Sequence, residues 1–294
     1  MPSAYLWCPA YPLEHEQQLQ AARRGAQALA QACGFELVES PLLPRFGPIG
    51  SWGTVAERCA DLTQGLEHDI LLAARGGYGC IDLLDVLYGS KRLPRLIGYS
   101  DLTILHSVWH QRGLAGLYGF MPAISGGPIA LDTTRRLLAG EALRLDAATH
   151  PQVTVLRDGS ASGTCFAACV RVLTGLVGTP AMPALSGTIL ALEDIDERPY
   201  RLDRDLSQLW LAGALRGVRG LVFGTMPATV PNGYQGPSAI AVATRWADRL
   251  QVPAIFGLPF GHEADPLTLP CGHPTSLTCS PGPWRLDLAA AVNV

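Results

Sequence analysis

Three groups of residues have the types and spacing to carry out chemistry. The sharpest is Leu96-Ile97-Gly98-Tyr99-Ser100-Asp101-Leu102-Thr103, an apolar strand that turns straight into a helix through a serine. Such a turn is a nucleophile elbow, lifting Oγ above the sheet edge and aiming a helix N-terminus at the reacting atom. Leu102 stands where the second glycine of G-x-S-x-G belongs, and a serine here is also an ordinary helix N-cap. The second group is Arg75-Gly76-Gly77-Tyr78-Gly79, between an apolar strand and a helix. Glycine admits positive φ, so successive N–H groups can converge on a phosphate, a carboxylate or the oxyanion of acyl transfer. The frame is not G-x-G-x-x-G, no acidic residue follows to hold a ribose, and a tight βα turn is the plain reading. If the reaction is acyl transfer, the N–H groups of Gly77 and Asp101 form the oxyanion hole.

The third group is acidic. Strand Thr188–Leu192 runs into Glu193-Asp194-Ile195-Asp196-Glu197-Arg198, whose carboxylates can bind a divalent metal, solvate a loop or orient a histidine. Glu193 lies nearest the buried strand, where a carboxylate can be held rigidly. Of seven histidines, His262 stands out, because Gly257-Leu258-Pro259-Phe260-Gly261-His262 is a Gly/Pro loop directly after strand Ala254–Phe256. Cys165 and Cys169 share a helical face, and Cys271-Gly272-His273 adds two further zinc-ligand types. No C-x-x-C pair accompanies them, so a zinc site is not expected. Cys80 reads as a small apolar packing residue.

These residues need a frame. Strands alternate with amphipathic helices in the first half, the signature of a parallel α/β sheet. Ala4–Cys8, Phe35–Val38, Asp69–Ala74 and Leu96–Gly98 read as strands; Leu13–Cys33, Val55–Gly65, Ile81–Leu87 and Asp101–Gln111 read as helices. Pro41–Gly53, with Trp52 among its glycines and prolines, reads as a functional or connecting loop. Met121–Pro128 and the polar, aperiodic Asp146–Ser162 read as a linker region. Beyond it come helix Phe166–Thr174, strand Thr188–Leu192, helix Asp203–Ala214, strand Gly220–Phe223, helix Ser238–Leu250 and strand Ala254–Phe256. The expected organisation is two α/β domains, 1–127 and a smaller 161–294, joined by 128–160.

Composition narrows the partners. The 294 residues are 48% hydrophobic and 16% charged, which excludes a disordered chain, and a net charge of −3 gives no pull toward nucleic acid or an anionic membrane. No apolar window reaches the length of a membrane span, and Met1–Pro12 does not read as a signal peptide. Eight cysteines in such a chain read as reduced thiols, placing the protein in the cytoplasm.

Together these residues make the chain resemble the LD-carboxypeptidase family of serine peptidases, which includes muramoyltetrapeptide carboxypeptidases and microcin C immunity peptidases. The resemblance runs through Trp52–Leu62 with its E-R-x-x-D-L, Ala74–Gly79, Ile97–Thr103, Gly178-Thr179-Pro180, Leu192–Asp194 with Glu197, and Asp203-Arg204. It continues through Pro259–His262 and Leu269–Gly272. It implies an N-terminal Rossmann-like sheet carrying Ser100 as nucleophile, and a C-terminal α/β domain carrying His262 as base then acid and Glu193 as its orienting carboxylate. A serine hydroxyl needs an adjacent base, and the base needs a fixed tautomer. The implied activity is removal of a terminal D-amino acid from an L,D-peptide bond, with the murein tetrapeptide of cell-wall recycling as substrate. No metal or organic cofactor is required, and the resemblance implies a homodimer. Arg75 is a candidate for the substrate carboxylate, beside Gly76 and Tyr78. Hydrolysis of a microcin-like peptidyl nucleotide and non-catalytic capture of muropeptides are the alternatives. Where the family carries Gly-Gly-Asn and His-Gly-Pro, this chain has Ala167-Ala168-Cys169 and Tyr118-Gly119-Phe120.

Overall fold

A computed structural model describes residues 1–48, 53–227, 230 and 232–289; Trp52 lies outside them. In the first half, short runs buried on both faces become strands and the amphipathic runs between them become crossover helices. In chain order these are β1 (Ser3–Trp7), α1 (Glu16–Cys33), β2 (Glu36–Glu39), α2 (Val55–Gly65), β3 (Ile70–Ala73), α3 (Leu84–Gly89), β4 (Arg95–Ile97), α4 (Thr103–Gln111) and β5 (Gly116–Tyr118). The strands assemble in the order β2-β1-β3-β4-β5, all parallel, which places every strand-to-helix turn at one end of the sheet. Single 3-10 turns, Cys80–Leu83 and Ser100–Leu102, precede α3 and α4.

The expected linker carries elements of its own. Pro128–Leu138 is a helix, α5, which begins on proline and receives its cap from afar. Asp265 accepts the N–H groups of Ile129 and Ala130 at 2.9 and 2.8 Å. Strands β6 (Leu143–Asp146) and β7 (Thr154–Arg157) follow, then the long β8 (Gly159–Cys169). The helix expected over Phe166–Thr174 is therefore corrected: Cys165–Cys169 completes β8, and α6 (Val170–Gly175) starts after it. An unbroken buried run of five small and apolar residues carries no period that separates a central strand from a buried helix.

Next come β9 (Thr188–Glu193), α7 (Pro199–Leu211), β10 (Gly220–Gly224), α8 (Ala239–Leu250), β11 (Ala254–Leu258), β12 (Leu269–Cys271), β13 (Pro274–Cys279) and β14 (Trp284–Leu288). The second sheet runs β6-β14-β13-β8-β9-β10-β11-β7, with the four central strands β8 to β11 parallel. Among the described residues this sheet has eight strands, two of them (β6 and β7) from the 128–160 segment. Strand β12 leaves that half and pairs antiparallel with β5. One apolar cluster accordingly contains Leu72 and Leu96 of the first sheet together with Ile189, Val222 and Leu277 of the second. This shared core holds the ends of β4, β5 and β9 against one another. Among the described residues, no helix is long and apolar enough to cross a membrane.

Candidate active site

Strand β4 ends at Ile97, and three residues later the chain enters the 3-10 turn Ser100–Leu102 that leads into α4. Ser100 takes φ +69°, in the left-handed region that a non-glycine residue enters only under strain. Its N–H donates to the Tyr118 hydroxyl at 3.1 Å, which helps hold the strained turn. Gly76 comes so near that a Cβ there would stand 2.9 Å from Ser100 Cβ and 3.1 Å from Oγ, so only glycine fits. The match to G-x-S-x-G is incomplete in sequence, but the backbone strain of an elbow is present.

His262 reaches Ser100 from the other half of the chain. Its Nε2 lies 3.1 Å from Ser100 Oγ, and its Nδ1 lies 2.7 Å from Glu193 Oε2. The same carboxylate oxygen accepts the His262 backbone N–H at 3.3 Å. Gly261 makes this fit possible, because it has φ +82° and a Cβ would fall 2.3 Å from Glu193 Cγ. Glu193 ends β9 with 2% of its surface exposed, and its Oε1 accepts the Tyr118 hydroxyl at 2.6 Å. Every oxygen of this buried carboxylate is therefore occupied, as burial of a charge requires. The edge of Tyr99 packs on the imidazole at a centroid distance of 5.1 Å. Burial disfavours the charged imidazole, yet the Glu193 hydrogen bond and charge, with Asp194 and Asp196 nearby, outweigh it and raise its pKa above the ordinary value.

The other acids of the cluster are engaged elsewhere. Asp194 accepts the Arg171 N–H at the start of α6 and its neighbour Ile195 N–H, both at 2.9 Å, and burial pushes its carboxyl up to about 7. Asp196 has φ +56° in the following turn, and Glu197 lies 3.6 Å from Arg201. Among the described residues, no three His, Cys, Asp or Glu side chains are grouped to hold a metal ion. Cys165 and Cys169 lie on strand β8, so the helical face expected to bring them together does not exist.

The glycine loop sits beside Ser100. Arg75 donates through Nη1 to Glu14 at 2.9 Å and to the Pro12 carbonyl at 3.0 Å, which braces the loop against the 11–14 segment. Tyr78 is 65% exposed at the rim. The N–H groups of Gly77 and Asp101 donate to no protein acceptor among the described residues. The Asp101 carboxylate, silent in the sequence, accepts the Cys80 N–H at 2.8 Å and so ties the glycine loop to the serine turn. Asp101→Ala is expected to lower the unfolding free energy by about 1.5–3 kcal/mol, because that buried N–H loses a charged acceptor. Urea unfolding measures it, and an unchanged midpoint would remove Asp101 as the tie.

Tyr118 is the site residue that sequence reasoning missed. It was visible only as a departure from the His-Gly-Pro stretch, and its two partners lie 18 and 75 residues away in the chain.

Similarity to known proteins follows the same two halves. Residues 5–119 match the LD-carboxypeptidase N-terminal domain, and residues 162–277 match the LD-carboxypeptidase C-terminal domain. Murein tetrapeptide carboxypeptidase of Pseudomonas aeruginosa is 31% identical over 242 residues, covering 75% of this chain and 76% of that protein. The crystal structure of muramoyltetrapeptide carboxypeptidase from Oxalobacter formigenes superposes with a TM-score of 0.82 at 26% identity, over 98% of this chain and 100% of that one. An MccF-like protein from Bacillus anthracis shares the fold, with a TM-score of 0.81 at 19% identity over 99% and 97% of the two chains. With both domains matched in order, the chain belongs to the LD-carboxypeptidase family.

Proposed function

We propose that the chain is a serine LD-carboxypeptidase that releases a terminal D-amino acid, D-alanine, from the murein tetrapeptide in cytoplasmic cell-wall recycling. The observation that carries the reading is the line Ser100 Oγ–His262 Nε2–Nδ1–Glu193 Oε2, at 3.1 and 2.7 Å. In this reading Nε2 takes the Ser100 proton as Oγ bonds to the scissile carbonyl carbon. The oxyanion of the tetrahedral intermediate is received by the Gly77 and Asp101 N–H groups. Collapse breaks the C–N bond, and the imidazolium returns its proton to the departing amine of the D-amino acid. Water then attacks the acyl-enzyme, giving a proton to Nε2, and as the C–Oγ bond breaks the imidazolium returns that proton to Ser100 Oγ and the shortened peptide leaves with a new carboxyl group. Glu193 fixes the tautomer and stabilises the imidazolium throughout.

The relatives support the murein tetrapeptide over a peptidyl nucleotide as substrate. A murein tetrapeptide carboxypeptidase stands at 31% identity, whereas a microcin C7 self-immunity protein MccF in complex with aspartyl sulfamoyl adenosine stands at 20%. The test incubates the protein separately with murein tetrapeptide and with a peptidyl adenylate analogue, following products by mass spectrometry. Loss of D-alanine from the tetrapeptide alone is the expected result. Cleavage of the adenylate alone would transfer the function to peptidyl-nucleotide hydrolysis. Turnover of neither would sink both and leave muropeptide capture without catalysis.

A further inference from the structure

Tyr118, at the end of β5, is fully buried, and its hydroxyl lies where the two sheets meet. It donates to Glu193 Oε1 at 2.6 Å and accepts the Ser100 N–H at 3.1 Å, with Thr103 Oγ1 at 3.5 Å. Oε2 of the same carboxylate serves His262 alone, through Nδ1 at 2.7 Å and the backbone N–H at 3.3 Å. One phenol hydroxyl therefore connects the strained residue that carries Oγ to the carboxylate that carries the imidazole. Burial, with the Glu193 charge beside it, raises the phenol pKa far above its ordinary value, so the group remains a donor at any working pH.

A donor on Oε1 draws charge away from Oε2 and weakens its hold on a proton at Nδ1. We propose that Tyr118 is a positioning residue for hydrolysis, orienting Glu193 and moderating the basicity of the Glu193–His262 pair while its oxygen steadies the Ser100 turn. The inference rests on the Ser100–His262–Glu193 reading for its effect on turnover. Its electrostatic part needs no substrate.

The test is Tyr118→Phe in the full chain, which keeps the ring and removes the hydroxyl. The His262 imidazole, titrated by nitrogen NMR, is expected to take up its proton at higher pH than in the parent protein. The neighbouring titratable groups Asp194, Asp196, Tyr99 and Cys169 are left in place. The acidic limb of kcat/KM is expected to move the same way, since only the neutral imidazole accepts the Ser100 proton. At the pH optimum kcat is expected to fall roughly ten- to a hundred-fold, the usual range for one lost hydrogen bond to a charged group, with KM little changed.

Thr103→Val is the control, removing a buried hydroxyl that makes no hydrogen bond to Glu193. It is expected to lower stability without moving the imidazole titration. An imidazole titration unchanged in Tyr118→Phe, or moved equally by Thr103→Val, overturns the proposal and leaves Tyr118 as packing. A parent protein inert toward every L,D-peptide, with the imidazole still shifted in Tyr118→Phe, overturns the proposed function and supports the coupling.

Discussion

Ser100→Ala lowers turnover of the L,D-peptide on the order of 10³- to 10⁶-fold, the range seen when a triad nucleophile is removed. The side chain lost is small and partly exposed, and alanine occupies the same space with one atom fewer. The Tyr118 acceptor for the residue 100 N–H remains, and φ +69° is as strained for alanine as for serine. The variant should therefore fold with nearly parental stability while losing the proposed nucleophile. Residual activity is expected from the N–H groups of Gly77 and Asp101, the proposed oxyanion hole, and from substrate binding. The check is single-turnover kinetics alongside thermal unfolding. Activity within ten-fold of the parent would show that Ser100 is not the nucleophile.

Glu193→Gln is expected to lower kcat/KM by about 10³- to 10⁴-fold, as loss of the triad carboxylate does in serine hydrolases, if Glu193 holds the proposed role. Both amide orientations fail for a physical reason. With its oxygen toward His262 the tautomer survives, but the charge that stabilises the imidazolium is gone. With its NH₂ toward Nδ1 the amide donates, and the imidazole must turn its proton toward Ser100, where it cannot act as a base. The pH dependence has a definite sign. Glu193 supplies the largest influence raising the His262 pKa, and burial opposes it. Removing the charge leaves burial opposed only by the more weakly acting Asp194 and Asp196, so the acidic limb moves to lower pH, opposite to the shift expected for Tyr118→Phe.

Stability carries the same signature. The folded His262 binds its proton more tightly than the unfolded one, whose pKa is about 6.5. That contribution is fully present below the unfolded value and disappears as the pH rises through the higher folded value. The stability difference between the parent and Glu193→Gln is therefore expected to shrink from acidic to alkaline pH in urea titrations. An acidic limb that stays in place in the variant would separate Glu193 from the titration of His262.

Much of the frame was legible from local pattern. The parallel strands of the first half and helices α1, α2, α4, α7 and α8 follow from period and punctuation, because each is an amphipathic or buried run bounded by turn residues. Where local signals were ambiguous, tertiary contacts decided. Cys165–Cys169 became a strand because it pairs in parallel with β9 along its whole length. The 128–160 segment was mistaken for a linker because its polar strands β6 and β7 lie at the two edges of the second sheet. An edge strand needs no buried run. The cap of α5 is Asp265, more than a hundred residues downstream and outside the reach of any local motif.

The site divides along the same line. Residue types and turn chemistry alone determined that Ser100 sits on a strand-to-helix turn, that glycines line the turn after β3, that Glu193 ends a buried strand, and that His262 lies on the loop after another. Each of those facts is set by a few adjacent residues. Only the tertiary structure decided which carboxylate faces which histidine, since Glu193 and His262 come from strands separated by β10, and Ser100 comes from another sheet. Folding likewise turned Arg75 inward onto Glu14, gave the Asp101 carboxylate to Cys80, and made Tyr118 the bridge between the two halves. Hydrogen-bond partners of buried polar groups are chosen by the packing of distant strands, and a linear pattern holds no record of that choice.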